Sequence, residues 1–253
     1  MDRINYDDQT AAVLREEIRE VPREGFDGWR TAVRRYLNPS PGMTLIDVGA
    51  GIGRFATAFN DWFGADVIAV EPSASMRALI QVRPGIQVLD GHAGVLPLPD
   101  DSADGVWISM VIHHIPDLHA AAAEIRRVLR PGAPVLVRQQ FPGRCERIEL
   151  VRWFPETART VETFPSVEQV CAAFAAAGFG REALEQVEQP NPWSVDEFLA
   201  RIDTFRQVDT TLRNLTEDEF RGGRERLRHA AAASREAAVP ALRSTWLDLL
   251  VLR

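Results

Sequence analysis

Three glycines and a later glutamate form the clearest chemical pattern in the chain. The stretch from Thr44 to Phe55 reads TLIDVGAGIGRF, an apolar run followed by glycines at 49, 51 and 53. Glycine lets the backbone turn sharply and lets a ligand approach without a Cβ in the way, and a helix that begins there directs free N–H groups at the ligand. Glu71 ends the next apolar run, DVIAV, where a carboxylate can accept hydrogen bonds from both hydroxyls of a ribose. The pattern predicts a site for a nucleoside cofactor.

The glycine spacing bears on which nucleoside binds. A dinucleotide-binding loop has the pattern G-x-G-x-x-G, whereas this loop has G-x-G-x-G, with Arg54 where the third small residue is expected. The spacing therefore weakens the alternative of a nicotinamide-dependent oxidoreductase. Glu71 alone does not decide, because either adenosine cofactor could use it.

Two adjacent histidines are candidates for proton transfer. His113 and His114 follow the apolar run GVWIS, at the carboxyl end of a predicted strand, where a doubly wound sheet opens its crevice. A histidine with a pKa near its reference value of about 6.5 is mostly neutral at cellular pH and could accept a proton from a hydroxyl, an amine or an acidic carbon. The alternative is a packing or helix-capping role. Of the two, His113 is the preferred candidate base.

The elements that must position these residues alternate between strand and helix. From residue 44 to 138 this alternation predicts an α/β fold with a doubly wound parallel sheet. Further along, a helix is expected over 166–177, a strand around 184–187 and a closing strand over 244–253. We divide the chain into an N-terminal helical cap (1–38), a cofactor-binding domain (39–190 and 241–253) and a helical insertion (191–240). Ser194 with Glu197, and Thr216 with Glu219, have the capping-box spacing, so the insertion is interpreted as a lid.

Composition limits the classes of partner. The chain has 253 residues, of which 45% are apolar, and its net charge of −7 argues against nucleic acid as a partner. No apolar stretch approaches the roughly 20 residues that span a bilayer. The two cysteines, Cys145 and Cys171, lack C-x-x-C spacing and suit a reducing cytoplasm. No His/Cys/Asp cluster has metal-ligand spacing, so we expect no metal.

Five motifs in order resemble a known family. They are the glycine loop, Glu71 followed by Pro72 and Met76, LPLPDDSADGVW, HHIPD and RRVLRPG. Their order resembles the class I S-adenosylmethionine-dependent methyltransferases, in the small-molecule branch of the ubiquinone and menaquinone C-methyltransferases. The resemblance implies a Rossmann-like, mostly parallel seven-stranded sheet with an antiparallel last strand. It also implies S-adenosyl-L-methionine as cofactor and S-adenosyl-L-homocysteine as product.

The resemblance also implies roles for individual residues. In the family a G-D-A triplet contacts the adenine, and its counterpart here is Gly91-His92-Ala93, in which His92 is a departure. Tyr6 and Arg19 resemble a cap over the cofactor, although Arg19 could equally be a solvated arginine. The full set of expected cofactor-binding residues is Tyr6, Arg19, Asp47, Gly49, Ala50, Gly51, Gly53, Glu71, Pro72, Met76, Gly91, His92, Ala93, Ser109 and Met110.

The expected substrate is a small organic molecule, methylated at an oxygen, nitrogen or carbon atom. Phe141, Trp153 and Phe154 are predicted to line its apolar pocket. The excess of arginine over lysine and the many alanines favour a secondary metabolite. The chain is expected to act as a monomer or homodimer, with no membrane partner. An alternative is that the chain binds the cofactor but catalyses a different reaction, such as a cyclisation, because a fold does not fix a function.

Overall fold

A single seven-stranded sheet forms the centre of the fold, seen in a computed structural model that describes residues 26–236 and 242–253. The strands are β1 (Thr44–Val48), β2 (Asp66–Val70), β3 (Ile86–Leu89), β4 (Gly105–Ser109), β5 (Val135–Gln139), β6 (Arg181–Gln189) and β7 (Thr245–Leu252). Their order across the sheet is β3-β2-β1-β4-β5-β7-β6. Strands β1 to β5 pair in parallel, and β7 is antiparallel to both of its neighbours. The predicted fold class, including the antiparallel last strand, is confirmed.

Helices cover both faces of the sheet, and three further helices follow β6 in the chain and form a cluster with the helix at Glu149–Trp153. The helices are α1 (Asp27–Leu37), α2 (Arg54–Phe63), α3 (Ala74–Arg77), α4 (Leu118–Val128), α5 (Glu149–Trp153), α6 (Ala158–Val161), α7 (Val167–Ala176), α8 (Val195–Val208), α9 (Thr210–Arg213) and α10 (Glu217–Glu236). Short 3-10 helices lie at Ile112–His114 and Pro155–Thr157. The helix predicted over 166–177 is α7, and its N-cap Ser166 forms a capping box with Gln169.

The residues of the central strands are buried on both faces, as expected for a parallel sheet between helical layers. One face packs against α4 and α7, with Ile125 and Phe174 fully buried. The other face carries an aromatic cluster in which Trp107 of β4 contacts Trp29 of α1 and Phe55 of α2, with ring centroids 5.9 and 4.8 Å apart. Helix α1, the described end of the predicted N-terminal cap, is therefore part of the packing on the sheet.

Three helices, α8 to α10, occupy the interval between β6 and β7 and pack against α5. Their shared apolar cluster includes Phe198, Ile202, Phe220 and Leu227, all buried. Capping boxes form at two helix starts: Ser194 and Glu197 exchange hydrogen bonds with each other's backbone N–H, and the Thr216 and Glu219 pair does the same. We call these three helices the lid.

Candidate active site

The glycine loop and Glu71 meet at the carboxyl ends of β1 and β2. The N–H groups of Gly49 and Ala50 both donate to the carbonyl oxygen of Val70, at 2.8 and 3.1 Å, so the loop is tied to the neighbouring strand. The carboxylate of Glu71 is held at both oxygens, since Gly51 N donates to Oε2 at 2.8 Å and Ser73 N donates to Oε1 at 2.9 Å. Each carboxylate oxygen has about two lone-pair positions, so both oxygens retain capacity to accept a ligand's hydroxyl.

Two positions in the loop require glycine for different structural reasons. Gly49 has φ +69°, and a Cβ there would lie 2.6 Å from a methyl group of Val111. Gly51 has φ +56°, but its Cβ position meets nothing closer than the methyl carbon of Met76 at 3.9 Å. The missing side chain at Gly51 therefore keeps open the space above the loop, whereas Gly49 is required for packing.

Two carboxyl groups sit together below this loop. Burial raises the pKa of Asp47 to about 7, the N–H of Ala56 opposes this shift by hydrogen bonding, and the charge of Glu71 adds to it. Burial also raises the pKa of Glu71, against the hydrogen bonds from Ser73 and Gly51 and the charge of Arg77. Because both carboxyl groups lose solvation, a ligand that brings hydroxyl donors or positive charge is favoured at this end of the cavity.

One continuous cavity of about 900 Å³ runs from these carboxyl groups along the carboxyl edge of the sheet. Glu71 and Met76 line one end, and Arg138 and Gln189 line the other. Its aromatic walls come from the start of α1, from α2, from the residue before the N-cap of α8 and from α8 itself: Phe26, Phe55, Trp193 and Phe205. The volume lies near the upper end of the range for ligand pockets, which is about 300–1,000 Å³.

Arg138, at the end of β5, is a cavity residue that the sequence analysis did not identify. Its Nη1 donates to Ser109 Oγ at 3.0 Å and its Nη2 donates to Gln189 Oε1 at 2.8 Å. Its guanidinium carbon lies 5.0 Å from the ring centroid of Trp29 and 5.5 Å from that of Phe55. Burial lowers its pKa to about 9, and the charge of Arg54 adds to this effect. The available signal was an arginine directly after the three apolar residues that begin the strand VLVRQ.

The side chains of the two adjacent histidines lie in different environments. His114 lines the cavity. His113 is outside the cavity lining, and its ring stacks on Phe164 with centroids 4.1 Å apart and an interplanar angle of 15°. Its Nδ1 accepts a hydrogen bond from Gln139 Nε2 at 3.0 Å. Burial, with the neighbouring His114, lowers the pKa of His113 to about 3. The His113 ring is therefore enclosed by packing outside this cavity, whereas His114 lines it, so the geometry favours His114 over the predicted His113 as the candidate base.

Comparisons with known proteins decide the family. The Methyltransferase domain family matches residues 46–137. A demethylmenaquinone methyltransferase from Parafrankia sp. is 31% identical over 222 residues, which make up 74% of this chain and 87% of the relative. The chain belongs to the class I S-adenosylmethionine-dependent methyltransferases. Its cofactor is S-adenosyl-L-methionine, and it is a methyltransferase of the small-molecule type.

Other matches place this methyltransferase among similar enzymes. A ubiquinone/menaquinone biosynthesis C-methyltransferase from Paracoccus denitrificans is 29% identical over 188 residues, covering 60% of this chain and 72% of the relative. A crystal structure from Anabaena variabilis, described as a methyltransferase from an antibiotic biosynthesis pathway, has a TM-score of 0.71 at 22% identity and covers 87% and 95% of the two chains. A geranyl diphosphate C-methyltransferase from Streptomyces coelicolor, in complex with S-adenosyl-L-homocysteine, has a TM-score of 0.55 at 14% identity and covers 88% and 77%. The two structures share the fold of the methyltransferase.

Most of the expected cofactor-binding residues lie together in the methyltransferase cavity. Those that line it are Asp47, Gly49, Ala50, Gly51, Glu71, Pro72, Met76, His92, Ala93, Ser109 and Met110. Gly53 and Gly91 are not among the lining residues: a Cβ at Gly53 would lie 2.6 Å from Ile80, and one at Gly91 would lie 2.8 Å from Pro97, so both glycines permit close packing. The departure from the family triplet, His92, accepts a hydrogen bond at Nδ1 from Gly94 N at 3.2 Å. Tyr6 and Arg19 lie outside the described residues.

The three residues predicted to line the substrate pocket, Phe141, Trp153 and Phe154, are not among the residues that line this cavity. Phe141 is fully buried in the packing on the sheet, and Phe154 is fully buried with its ring stacked on Phe220, centroids 5.6 Å apart. Trp153 is buried in the same cluster as the lid, where its Nε1 donates to Glu149 at 3.0 Å. Phe141 therefore belongs to the core that packs on the sheet, and Trp153 and Phe154 belong to the apolar cluster that they share with the lid helices.

In the part of the chain that the structure describes, no helix combines the length and the apolar character needed to cross a bilayer. Within the same residues, no group of three or more His, Cys, Asp or Glu side chains is arranged to hold a metal ion.

Proposed function

We propose that this methyltransferase transfers a methyl group to an oxygen, nitrogen or carbon atom of a small organic acceptor that binds beneath the lid. One observation carries the proposal: the cavity extends from Glu71 at the end of β2 to Arg138 at the end of β5. The two ends are three strands apart in the sheet order, which corresponds to about 14 Å at about 4.8 Å per strand. That length accommodates a nucleoside and a second molecule placed end to end.

The residues at the Glu71 end fit the cofactor. S-adenosyl-L-methionine supplies an electrophilic methyl group on a positively charged sulfur. We assign the ribose hydroxyls to the carboxylate of Glu71, which backbone N–H groups fix at both oxygens. Pro72 and Met76 flank the adenine, since both line the cavity and the thioether of Met76 adapts to a flat ring. The open Cβ position of Gly51 leaves room for the cofactor's approach to the loop.

The remaining residues position the acceptor and exclude water. Trp193, just before α8, and Phe205 of α8 line the cavity, and their rings contact each other with centroids 5.1 Å apart. Alignment of two reactants in a dry cavity converts a bimolecular step into an intramolecular one. His114 lines the same cavity and is assigned as the base that accepts the acceptor's proton.

The test compares two adjacent histidines. An acceptor library is screened for S-adenosyl-L-homocysteine formation and for products heavier by one methyl group. With the best acceptor, His114→Gln should lower kcat by about 10²-fold or more, with unchanged affinity for S-adenosyl-L-homocysteine. His113→Gln, as the matched control, should retain kcat because its ring faces Phe164 and Gln139.

Three outcomes contradict parts of the proposal. Full turnover by His114→Gln would remove the base assignment. Loss of turnover in a folded His113→Gln that still binds the product nucleoside would restore His113. Turnover of an acceptor with no gain in mass would refute methyl transfer and favour the cyclisation alternative.

The cellular setting is also a proposal. We infer a role in the cytoplasm, supported by the two free cysteines, Cys145 and Cys171, and a role in secondary metabolism, supported by the arginine- and alanine-rich composition. Action as a monomer or homodimer remains a prediction, which sedimentation of the purified protein checks.

A further inference from the structure

Arg138 carries a charge that the described residues do not compensate. Its hydrogen-bond partners, Ser109 Oγ and Gln189 Oε1, are neutral. Its Nε is buried and has no partner in the part of the chain that the structure describes. A buried charge is costly unless it is paired, so this arginine is suited to bind an anion, which none of the described residues provides.

The surroundings hold the guanidinium in a fixed plane. Trp29 and Phe55 lie against it at 5.0 and 5.5 Å, and Gln189 Oε1 accepts from both Arg138 and Trp29 Nε1, the latter at 3.1 Å. A guanidinium fixed in this way loses little conformational freedom when it binds a planar carboxylate. The second arginine in the cavity lining, Arg54, adds positive charge to the same region.

The strand order places Arg138 away from the Glu71 end of the cavity. β5 lies next to β4, and Arg138 pairs in register with Ser109, whereas Glu71 follows β2 on the far side of β1. A cofactor held at Glu71 would share the cavity with Ser109 and Arg138 of β4 and β5, and it would supply a positively charged sulfur. A neutral acceptor would leave Arg138 without a counterion next to that charge, while an anionic acceptor would complement both.

We propose that Arg138 binds a carboxylate on the methyl acceptor, so that the substrates of this methyltransferase are small organic acids. The inference rests on the proposed function, because it assigns the β5 end of the cavity to the acceptor. The cofactor itself also has a carboxylate, on its methionine moiety, and the experiment must separate these two sources.

The experiment uses calorimetry on the whole protein. S-adenosyl-L-homocysteine is titrated first. The protein saturated with it is then titrated with benzoate and with its neutral analogue benzamide, which suit the aromatic walls of the cavity. The variants are Arg138→Met, which removes the charge, and Gln189→Glu, which provides an internal carboxylate 2.8 Å from Arg138 Nη2. Arg181→Met, at the exposed start of β6, is the matched control.

We expect the wild type and Arg181→Met to bind benzoate at least about tenfold more tightly than benzamide, as for a charge-assisted hydrogen-bonded pair. Arg138→Met and Gln189→Glu should lose that preference and keep their affinity for S-adenosyl-L-homocysteine within about twofold. Gln189→Glu keeps the acceptor for Trp29 and Arg138, so it tests the charge even if Arg138→Met fails to fold.

Two results of the benzoate and benzamide titrations would overturn this inference and leave the proposed function intact. One is equal affinity of the wild type for benzoate and benzamide, and the other is a benzoate preference that survives in Gln189→Glu. A loss of at least about tenfold in S-adenosyl-L-homocysteine affinity in Arg138→Met would assign Arg138 to the cofactor's carboxylate instead. Failure of the wild type to bind S-adenosyl-L-homocysteine would refute the proposed function, and the inference with it.

Discussion

Replacement of Asp47 by asparagine should stabilise the protein, and more so as the pH rises. Asp47 is 2% exposed, and burial raises its pKa from 3.8 to about 7. The folded state therefore retains a proton that the unfolded state releases above about pH 4, so the free energy of unfolding falls as the pH rises toward 7. Asp47→Asn keeps an oxygen for the N–H of Ala56 and has no proton to release.

The size of the effect follows from the shift of about three pKa units. At about 1.4 kcal/mol per unit, Asp47 lowers the stability of the folded state by about 4 kcal/mol at about pH 8.5 and by about 1 kcal/mol at about pH 4.5. The asparagine NH₂ group has its own cost of burial, but that cost does not change with pH. The difference between the two pH values, about 3 kcal/mol, is therefore the quantity to compare.

Urea unfolding of wild type and Asp47→Asn across this pH range measures the difference directly. Asp66→Asn is the control, because Asp66 is exposed at the start of β2. The reasoning is refuted if the stability difference between wild type and Asp47→Asn is the same at both ends of the range, or if it decreases as the pH rises.

Two further predictions concern the lid and the cofactor loop. In α10, Gly223→Ala should destabilise the protein by about 1–3 kcal/mol, because the added Cβ would overlap the ring of Phe154. At the adjacent position, the Cβ of Gly222→Ala would meet only Arg226 at 3.7 Å, so that variant should stabilise the protein by about 0.5–1 kcal/mol. Equal urea midpoints for the two variants would contradict this prediction. Glu71→Gln should cost about 1–3 kcal/mol of stability, since an amide NH₂ then faces a backbone N–H, and it should weaken S-adenosyl-L-homocysteine binding in calorimetry. An unchanged affinity for S-adenosyl-L-homocysteine would contradict the assignment of the ribose hydroxyls to Glu71.

The loop and its glutamate could be predicted because their chemistry is local. The turn after β1 needs glycines, and Glu71 stands at the end of the adjacent strand, so sequence spacing alone brings them together. The capping boxes of the lid are local in the same way, since each depends on two residues three positions apart.

The β5 end of the cavity could not be predicted, because it depends on contacts between residues that are distant in sequence. Arg138 contacts Trp29 and Gln189, which are far from it in sequence, and no local sequence pattern indicates these contacts. An apolar aromatic residue suits a buried core and a ligand pocket equally well, so its residue type did not indicate that Phe154 packs in the core. The adjacent His113 and His114 have the same residue type, and only the turn of the 3-10 helix decides which one reaches the cavity.

The lid leaves and rejoins the sheet at neighbouring positions. Gln189, the last residue of β6, is paired in register with Thr245, the first residue of β7. An insertion at such a junction can grow, shrink or be exchanged without a change in strand register, because its two ends are already held together. The lid can therefore diverge independently of the strands that carry Glu71 and Arg138, and lids grafted between relatives at this junction should leave S-adenosyl-L-homocysteine binding unchanged.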